Sequence, residues 1–318
     1  MTRYRCAAEA RERDEPRYGT ASHVRRWLLL EQPGPWGRDA LIESRMPAAV
    51  ATELESTAAD VNARVILIRR TRGRSARQRR CFVVRSDLAL VEELVLDDVT
   101  DLLDVDLTPL AAGRPVGGTP WLEPLHLVCT NGRHDACCAE YGRPLALALS
   151  GAVGERVWEC SHIGGDRFAG NLVCFPHGLY FGHVGPAEGP DVALQYERGL
   201  IDLDHYRGRS SHSFVVQAAE YFLRSDRDLR HVDDLVFTTR RVIADDAFRV
   251  VFADRPGQRW TVDVRVERDS RDQRLTCQAT VAARPPRYAL LAIAGSGSPS
   301  SSSSSSTPPP SARSRPCR

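Results

Sequence analysis

The sequence predicts a mixed α/β (α+β) protein: a layered β-α-β-β-β-α unit, preceded by a related α/β unit and followed by a small antiparallel sheet. Three observations carry this. Short apolar runs alternate with stretches of helical spacing through the first two thirds of the 318-residue chain. Two of those runs, Leu125–Cys129 and Arg156–Cys160, flank a helical stretch, which makes a parallel, right-handed β-α-β step. From Asp234 onward the pattern changes to in-and-out alternation, the mark of a sheet with one wet face.

Residues 1–20 are charged and polar and are expected to be disordered. An N-terminal α/β unit follows over 21–118. Its elements are a strand from His23 to Glu31, a helix from Pro47 to Val61 with Val50, Leu54, Ala58 and Val61 on one face, and strands at Arg64–Arg69 and Cys81–Val84. Leu88–Val105 mixes apolar and acidic residues and fits neither period. Ala111–Pro120 is rich in glycine and proline and reads as a connector.

The second unit, 119–225, has strands at Leu125–Cys129, Arg156–Cys160, Leu172–Phe175 and Leu179–His183. Helices are expected at Ala139–Ser150, Pro190–Asp204 and Ser213–Leu223, and Pro176-His-Gly178 is a hairpin signal. This order resembles that of a thioredoxin-like layered unit. A β-rich segment over 226–290 has strands near Arg241, Phe248–Phe252, Trp260–Val266 and Leu275–Val281. The tail 291–318, with its Ser300–Ser306 run and Pro308–Pro310, cannot bury a core and is expected to be disordered.

Bulk properties exclude several functions. Net charge is +2, too small for a field that gathers nucleic acid or anionic lipid, so neither is an expected partner. No apolar run is long enough to span a membrane, and Met1–Thr20 has no apolar leader, so a cytoplasmic location is expected. All 43 basic residues are arginine. Without lysine there is no Schiff base and no P-loop phosphate site. No G-x-G-x-x-G fingerprint for flavin or nicotinamide is present.

Nine cysteines in such a chain point to metal or redox chemistry rather than disulfides. Four of them cluster, in Cys129-Thr-Asn-Gly-Arg-His-Asp-Ala-Cys137-Cys138 and in Trp158-Glu-Cys160-Ser-His162-Ile-Gly164-Gly165-Asp166. Both segments follow the carboxyl ends of strands that the β-α-β step makes parallel, so their loops meet at one sheet edge. Gly164-Gly165 lets the second loop take positive φ and bring its backbone, as a cofactor-binding element, close to an inorganic group. Cys6, Cys81, Cys174 and Cys277 read as buried or incidental cysteines, as does Cys317 in the tail. No C-x-x-C occurs, which argues against a dithiol oxidoreductase. The arginine-rich stretch Arg69–Arg80 reads as a solvated hairpin, with a docking patch for an acidic redox partner as the sharper alternative.

These two segments, with Gly19-Thr-Ala21, Trp27–Glu31, Pro33–Gly37 and Arg64–Arg70, resemble the sucrase/ferredoxin-like family of thioredoxin-like ferredoxins. The resemblance covers about residues 18–285. It implies a thioredoxin-like ferredoxin domain holding a [2Fe–2S] cluster, with two cysteines from the first loop and two histidines from an H-x-x-x-H loop. Cys129 and Cys138 match the cysteine pair, with Cys137 as the alternate to Cys138, and His162 matches the first histidine. Asp166 stands where the second histidine is expected. Three outcomes are open there: Asp166 ligates through oxygen, Cys160 completes the set, or the cluster is lost. Loop position favours Asp166.

The resemblance implies a one-electron carrier that works with an outside reductase and acceptor. Imidazole ligation implies a raised potential coupled to a proton. A zinc protein using Cys129, Cys138, Cys160 and His162 is the alternative. A glycoside hydrolase lacks the paired carboxylates and aromatic platforms it needs.

Overall fold

The computed structural model describes residues 4–71 and 77–296. Helix α1 is Cys6–Glu12, and strand β1 is Arg26–Glu31. Then come α2 (Ala48–Asp60), β2 (Ala63–Arg70), β3 (Arg79–Arg85), β4 (Leu90–Leu96), α3 (Thr108–Ala111) and β5 (Thr119–Pro120). The second stretch contains β6 (Leu125–Cys129), α4 (Ala136–Val153), β7 (Val157–Cys160), β8 (Leu172–Phe175), β9 (Leu179–Phe181), α5 (Gly189–Glu197), β10 (Tyr206–Arg209) and α6 (Phe214–Arg227). Strands β11 (Leu235–Ala244), β12 (Ala247–Asp254), β13 (Arg259–Arg268) and β14 (Pro286–Gly295) form a separate antiparallel sheet.

The ten strands β1–β10 make one sheet, ordered β10-β9-β8-β6-β7-β2-β1-β3-β4-β5. Its two halves repeat one another. In the first, β1 and β2 are parallel across α2, β3 is antiparallel to β1, and β4 is antiparallel to β3. In the second, β6, α4, β7, β8 and β9 do the same. The halves join where β2 meets β7 antiparallel, at Ile68–Cys160, Arg69–Glu159 and Arg70–Trp158. Arg69 pairs with Glu159 at 2.6 Å and Arg70 lies over Trp158, so the start of the arginine-rich stretch ties this seam. Residues 72–76 of that stretch lie outside the described residues.

One core, shared by both halves, contains Trp27, Leu29, Ile68, Phe82, Leu127, Trp158, Phe175 and Tyr180, and with them Cys129, Cys138 and Cys160. Each fully buried aliphatic side chain in it contributes about 1.5–3 kcal/mol. Separate cores lie under α2 and under α4 with α5, so both halves are layered.

Four expectations need correction. Residues 6–12, expected to be disordered, form α1, whose Cys6, Ala7 and Ala10 are buried. Their small side chains carry little hydropathy, and charged neighbours hide them: Arg11 donates to the Ala169 carbonyl at 2.7 Å, and Glu15 pairs with Arg167. The last strand is Pro286–Gly295, not Leu275–Val281. The alternation at 275–281 is real, but that segment is bound elsewhere, with the Cys277 amide donating to Asp135. The helix expected to run to Asp204 stops at Glu197, where Gly199 turns with φ of 75°, and Tyr206–Arg209 forms an edge strand instead. The unassigned stretch 88–105 holds β4 and a 3-10 turn, and the supposed connector ends in β5 on the same sheet. The tail beyond 296, Cys317 included, lies outside the described residues.

Two histidines beside the second half make stability depend on pH. Burial holds His177 down to about 4 and His183 down to about 3, the latter helped by Arg11, Arg17 and Arg207. Both folded values lie below the unfolded one near 6.5, so the unfolded chain binds more protons in between. Their contribution is complete above about pH 6.5 and is lost as pH falls, each at up to about 1.4 kcal/mol per pH unit. Urea midpoints should fall between pH 7 and pH 5, and His177→Gln should flatten that slope. An unchanged slope in the variant would remove His177 from the account.

Candidate metal centre

Cys129 ends β6, and Asp135 caps α4 by accepting from the Cys137 amide at 2.9 Å. That places Cys138 in the first turn of α4, facing back towards the strand. Gly142, one turn on, lets the helix backbone lie against the Cys129 carbonyl. The second loop leaves β7 at Cys160, the residue paired with Cys129 in the parallel register. Thr130 donates its amide to the Cys160 carbonyl, and Cys129 donates to the Asn171 carbonyl, so the two loops are stitched together. Arg64, from the other half of the sheet, holds the His162 carbonyl at 2.8 Å. Gly164 and Gly165 take φ of 99° and 81°, as expected.

The donor atoms of Cys129, Cys138 and His162 all lie within 4.8 Å of one another. Cys129 and Cys138 are buried, and His162 is 20% exposed. Asp166 is buried beside them, with Oδ1 at 3.3 Å from Cys138 Sγ and 3.0 Å from His162 Nδ1. The last approach is off the hydrogen-bond line, which leaves His162 Nδ1 buried without a hydrogen-bond partner.

The charges are coupled. Hydrogen bonds from Cys138, and then His162, hold the Cys129 sulfur well below the usual thiol range, against burial. Cys138 is pushed well above that range by the neighbouring Cys129 sulfur, by burial and by Asp166, to whose Oδ1 its thiol donates. Burial pushes His162 down, but Asp166 and Cys129 outweigh it and raise the imidazole to about 9. Burial opposes ionisation of Asp166, yet His162 and His134 keep its carboxyl low. Without metal, Cys129 and Asp166 are thus shifted towards losing their protons, and Cys138 and His162 towards keeping theirs. Two sulfurs, an imidazole with an unpartnered nitrogen and a buried carboxylate suit a borderline-soft transition metal or an iron–sulfur group, whose binding would release those protons.

Cys129, Cys138, His162 and Asp166 thus come together. The two alternates do not join them. Cys160, although paired with Cys129 across the strands, is not among the donors that lie within 4.8 Å of one another, and burial pushes its thiol up. Cys137 faces the other side of α4, towards Cys6 and Cys277. Sequence reasoning missed His134. Its ring stacks on His162 at 3.6 Å, and its Nε2 is 3.8 Å from Asp166 Oδ2. Only its position between the two cysteines of the first loop signalled it. A cleft of about 430 Å³, lined in part by Arg38, Asp39, Arg64, His134 and His162, opens onto the two imidazoles. No helix among the described residues is long and apolar enough to cross a membrane.

No curated protein and no solved structure matches this chain. One family model does, over residues 17–208, which takes in both halves of the large sheet and the whole of this donor cluster. The chain belongs to the sucrase/ferredoxin-like family.

Proposed function

We propose that this protein is a one-electron carrier, or the iron–sulfur part of a reductase, with a [2Fe–2S] cluster on a thioredoxin-like domain. The observation that carries the reading is the meeting of Cys129, Cys138 and His162 within 4.8 Å, from two loops at one sheet edge. Cys129 and Cys138 would hold the group from one side, and His162 with Asp166 from the other. The strand order β9-β8-β6-β7, with β8 antiparallel to its neighbours, supports the thioredoxin-like assignment. Such a cluster supplies one-electron redox chemistry, at a potential that imidazole ligation raises. The chain's own residues do the rest. Gly164 and Gly165 let the second loop close over the group, and the cleft leaves the imidazole side facing solvent for an outside reductase and acceptor. Arg207, fully buried behind the glycines, adds a positive charge that favours an added electron.

Anaerobic reconstitution with iron and sulfide, followed by EPR of the reduced protein, tests this. A brown protein with about two irons per chain is expected, and its average g value should lie below that of an all-cysteine centre. Cys160→Ala should leave the spectrum unchanged, and Asp166→Ala should lose or change it.

A mononuclear metal, zinc foremost, is the second reading, because three donors within 4.8 Å of one another also suit a single ion. A colourless protein that takes up one zinc through Cys129 and Cys138, and never iron and sulfide, would decide for it.

A further inference from the structure

Cys137 and Cys138 are adjacent on α4 and point to opposite sides. Cys138 belongs to the centre above, whereas Cys137 meets Cys6 of α1 and Cys277 of the β13–β14 connection. The three sulfurs form a near-equilateral triangle, with Cys6–Cys137 at 3.8 Å, Cys137–Cys277 at 3.4 Å and Cys277–Cys6 at 3.7 Å. Ligands about 2.3 Å from a tetrahedral ion stand roughly 3.8 Å apart. A fourth donor is in place. Asp135 is fully buried, with Oδ1 and Oδ2 at 3.8 and 3.9 Å from Cys6 Sγ, and all four donor groups fit within 4.8 Å.

A second observation points to a cation. The Asp135 carboxylate has no arginine or histidine nitrogen within 4.0 Å among the described residues. Its oxygens accept the Cys137 and Cys277 amides, at 2.9 and 2.6 Å, and the Cys6 thiol at 3.8 and 3.9 Å, all from neutral donors. Those bonds orient the carboxylate without neutralising it, and buried charges are as a rule paired or bound to metal. Three sulfurs cannot all pair as disulfides, since one is always left over. The cluster also lies where a fastener is needed. Its ligands come from α1, from the start of α4 and from residue 277, and two of the three segments fall outside the residue range 17–208 matched by the family.

We propose that Cys6, Asp135, Cys137 and Cys277 form a structural zinc site that clamps α1 and the β13–β14 connection onto the start of α4. The site stands independently of what the Cys129 centre holds. By fixing Asp135 and Cys137 it also fixes Cys138, so it acts as a positioning element for the neighbouring centre.

Cobalt(II) binding to the full chain tests the proposal, with the first centre silenced by Cys129→Ser and Cys138→Ser. In that background about one cobalt should bind, with the visible bands of a tetrahedral thiolate site. Cys277→Ser, on a partly exposed connection that tolerates change, should lower the sulfur-to-cobalt band by about one third and weaken binding. Chelation should expose the 269–285 connection to protease. The proposal is overturned if the background protein binds no cobalt, or if Cys6→Ser and Cys277→Ser leave the bands unaltered. A Cys137–Cys277 disulfide found by mass spectrometry in anaerobically purified protein would overturn it as well. If Cys6→Ser fails to fold, Cys277→Ser alone decides.

Discussion

Arg207→Met should lower stability by about 3–5 kcal/mol and loosen metal at the Cys129 centre. Arg207 is buried and has no carboxylate within salt-bridge distance among the described residues. Its guanidinium instead satisfies the Thr20 hydroxyl and carbonyl, the Gly164 carbonyl and the Asn171 side chain, at 3.1, 2.6, 3.0 and 2.7 Å. Methionine fills much of the volume and removes every donor, leaving several buried oxygens unpaired at about 1–3 kcal/mol each. Relief from burying a charge offsets part of this, since burial already pulls the guanidinium down to about 10. The Gly164-Gly165 turn, which aims His162 and Asp166, would lose its anchor. Urea unfolding and the rate of metal loss to a chelator measure the two effects. Lysine keeps charge but lacks the planar fork, so Arg207→Lys should recover only part of the stability. A methionine variant within about 1 kcal/mol of the parent, with metal fully retained, would show that the loop holds itself.

Gly142→Ala should also be strongly destabilising, although alanine is the better helix former by about 1 kcal/mol. A Cβ at Gly142 would overlap the Cys129 carbonyl oxygen, with the carbonyl carbon at 3.1 Å and Thr130 Cγ2 at 3.5 Å. The obstacle is backbone held in the β6 ladder, so the helix must shift. Overpacking of this kind costs about 1–3 kcal/mol or more, which exceeds the propensity gain. Because Cys138 rides on the same helix, metal affinity should fall with stability. Gly151, exposed on α4 with nothing within 4 Å of its would-be Cβ, supplies the control. Gly151→Ala should stabilise by up to about 1 kcal/mol. Equal effects at both positions, read from thermal unfolding, would contradict the packing argument.

Sequence periodicity and strand-end position sufficed for β6, α4 and β7, because a short apolar run and a helical stripe are local properties. The parallel pairing followed from connection geometry, and with it the meeting of Cys129, Cys138, His162 and Asp166. Small side chains defeated the same approach in α1, where Cys6, Ala7 and Ala10 bury little area each. At 275–281 a true alternation was claimed by contacts with Asp135 rather than by a neighbouring strand. His134 was passed over because stacking on His162 depends on how the first loop folds back.

On its own, then, the amino-acid sequence determined the layered units, the two loops that carry Cys129, Cys138 and His162, and their common edge, since spacing and turn chemistry act over a few residues. Tertiary structure alone decided that β2 and β7 fuse the two units into one sheet, and that neighbouring Cys137 and Cys138 serve different clusters. It also decided that Cys6 and Cys277, 271 positions apart, face each other across Asp135. Such choices depend on which helix face and which distant segment compete for the same buried space, and no local pattern records that competition.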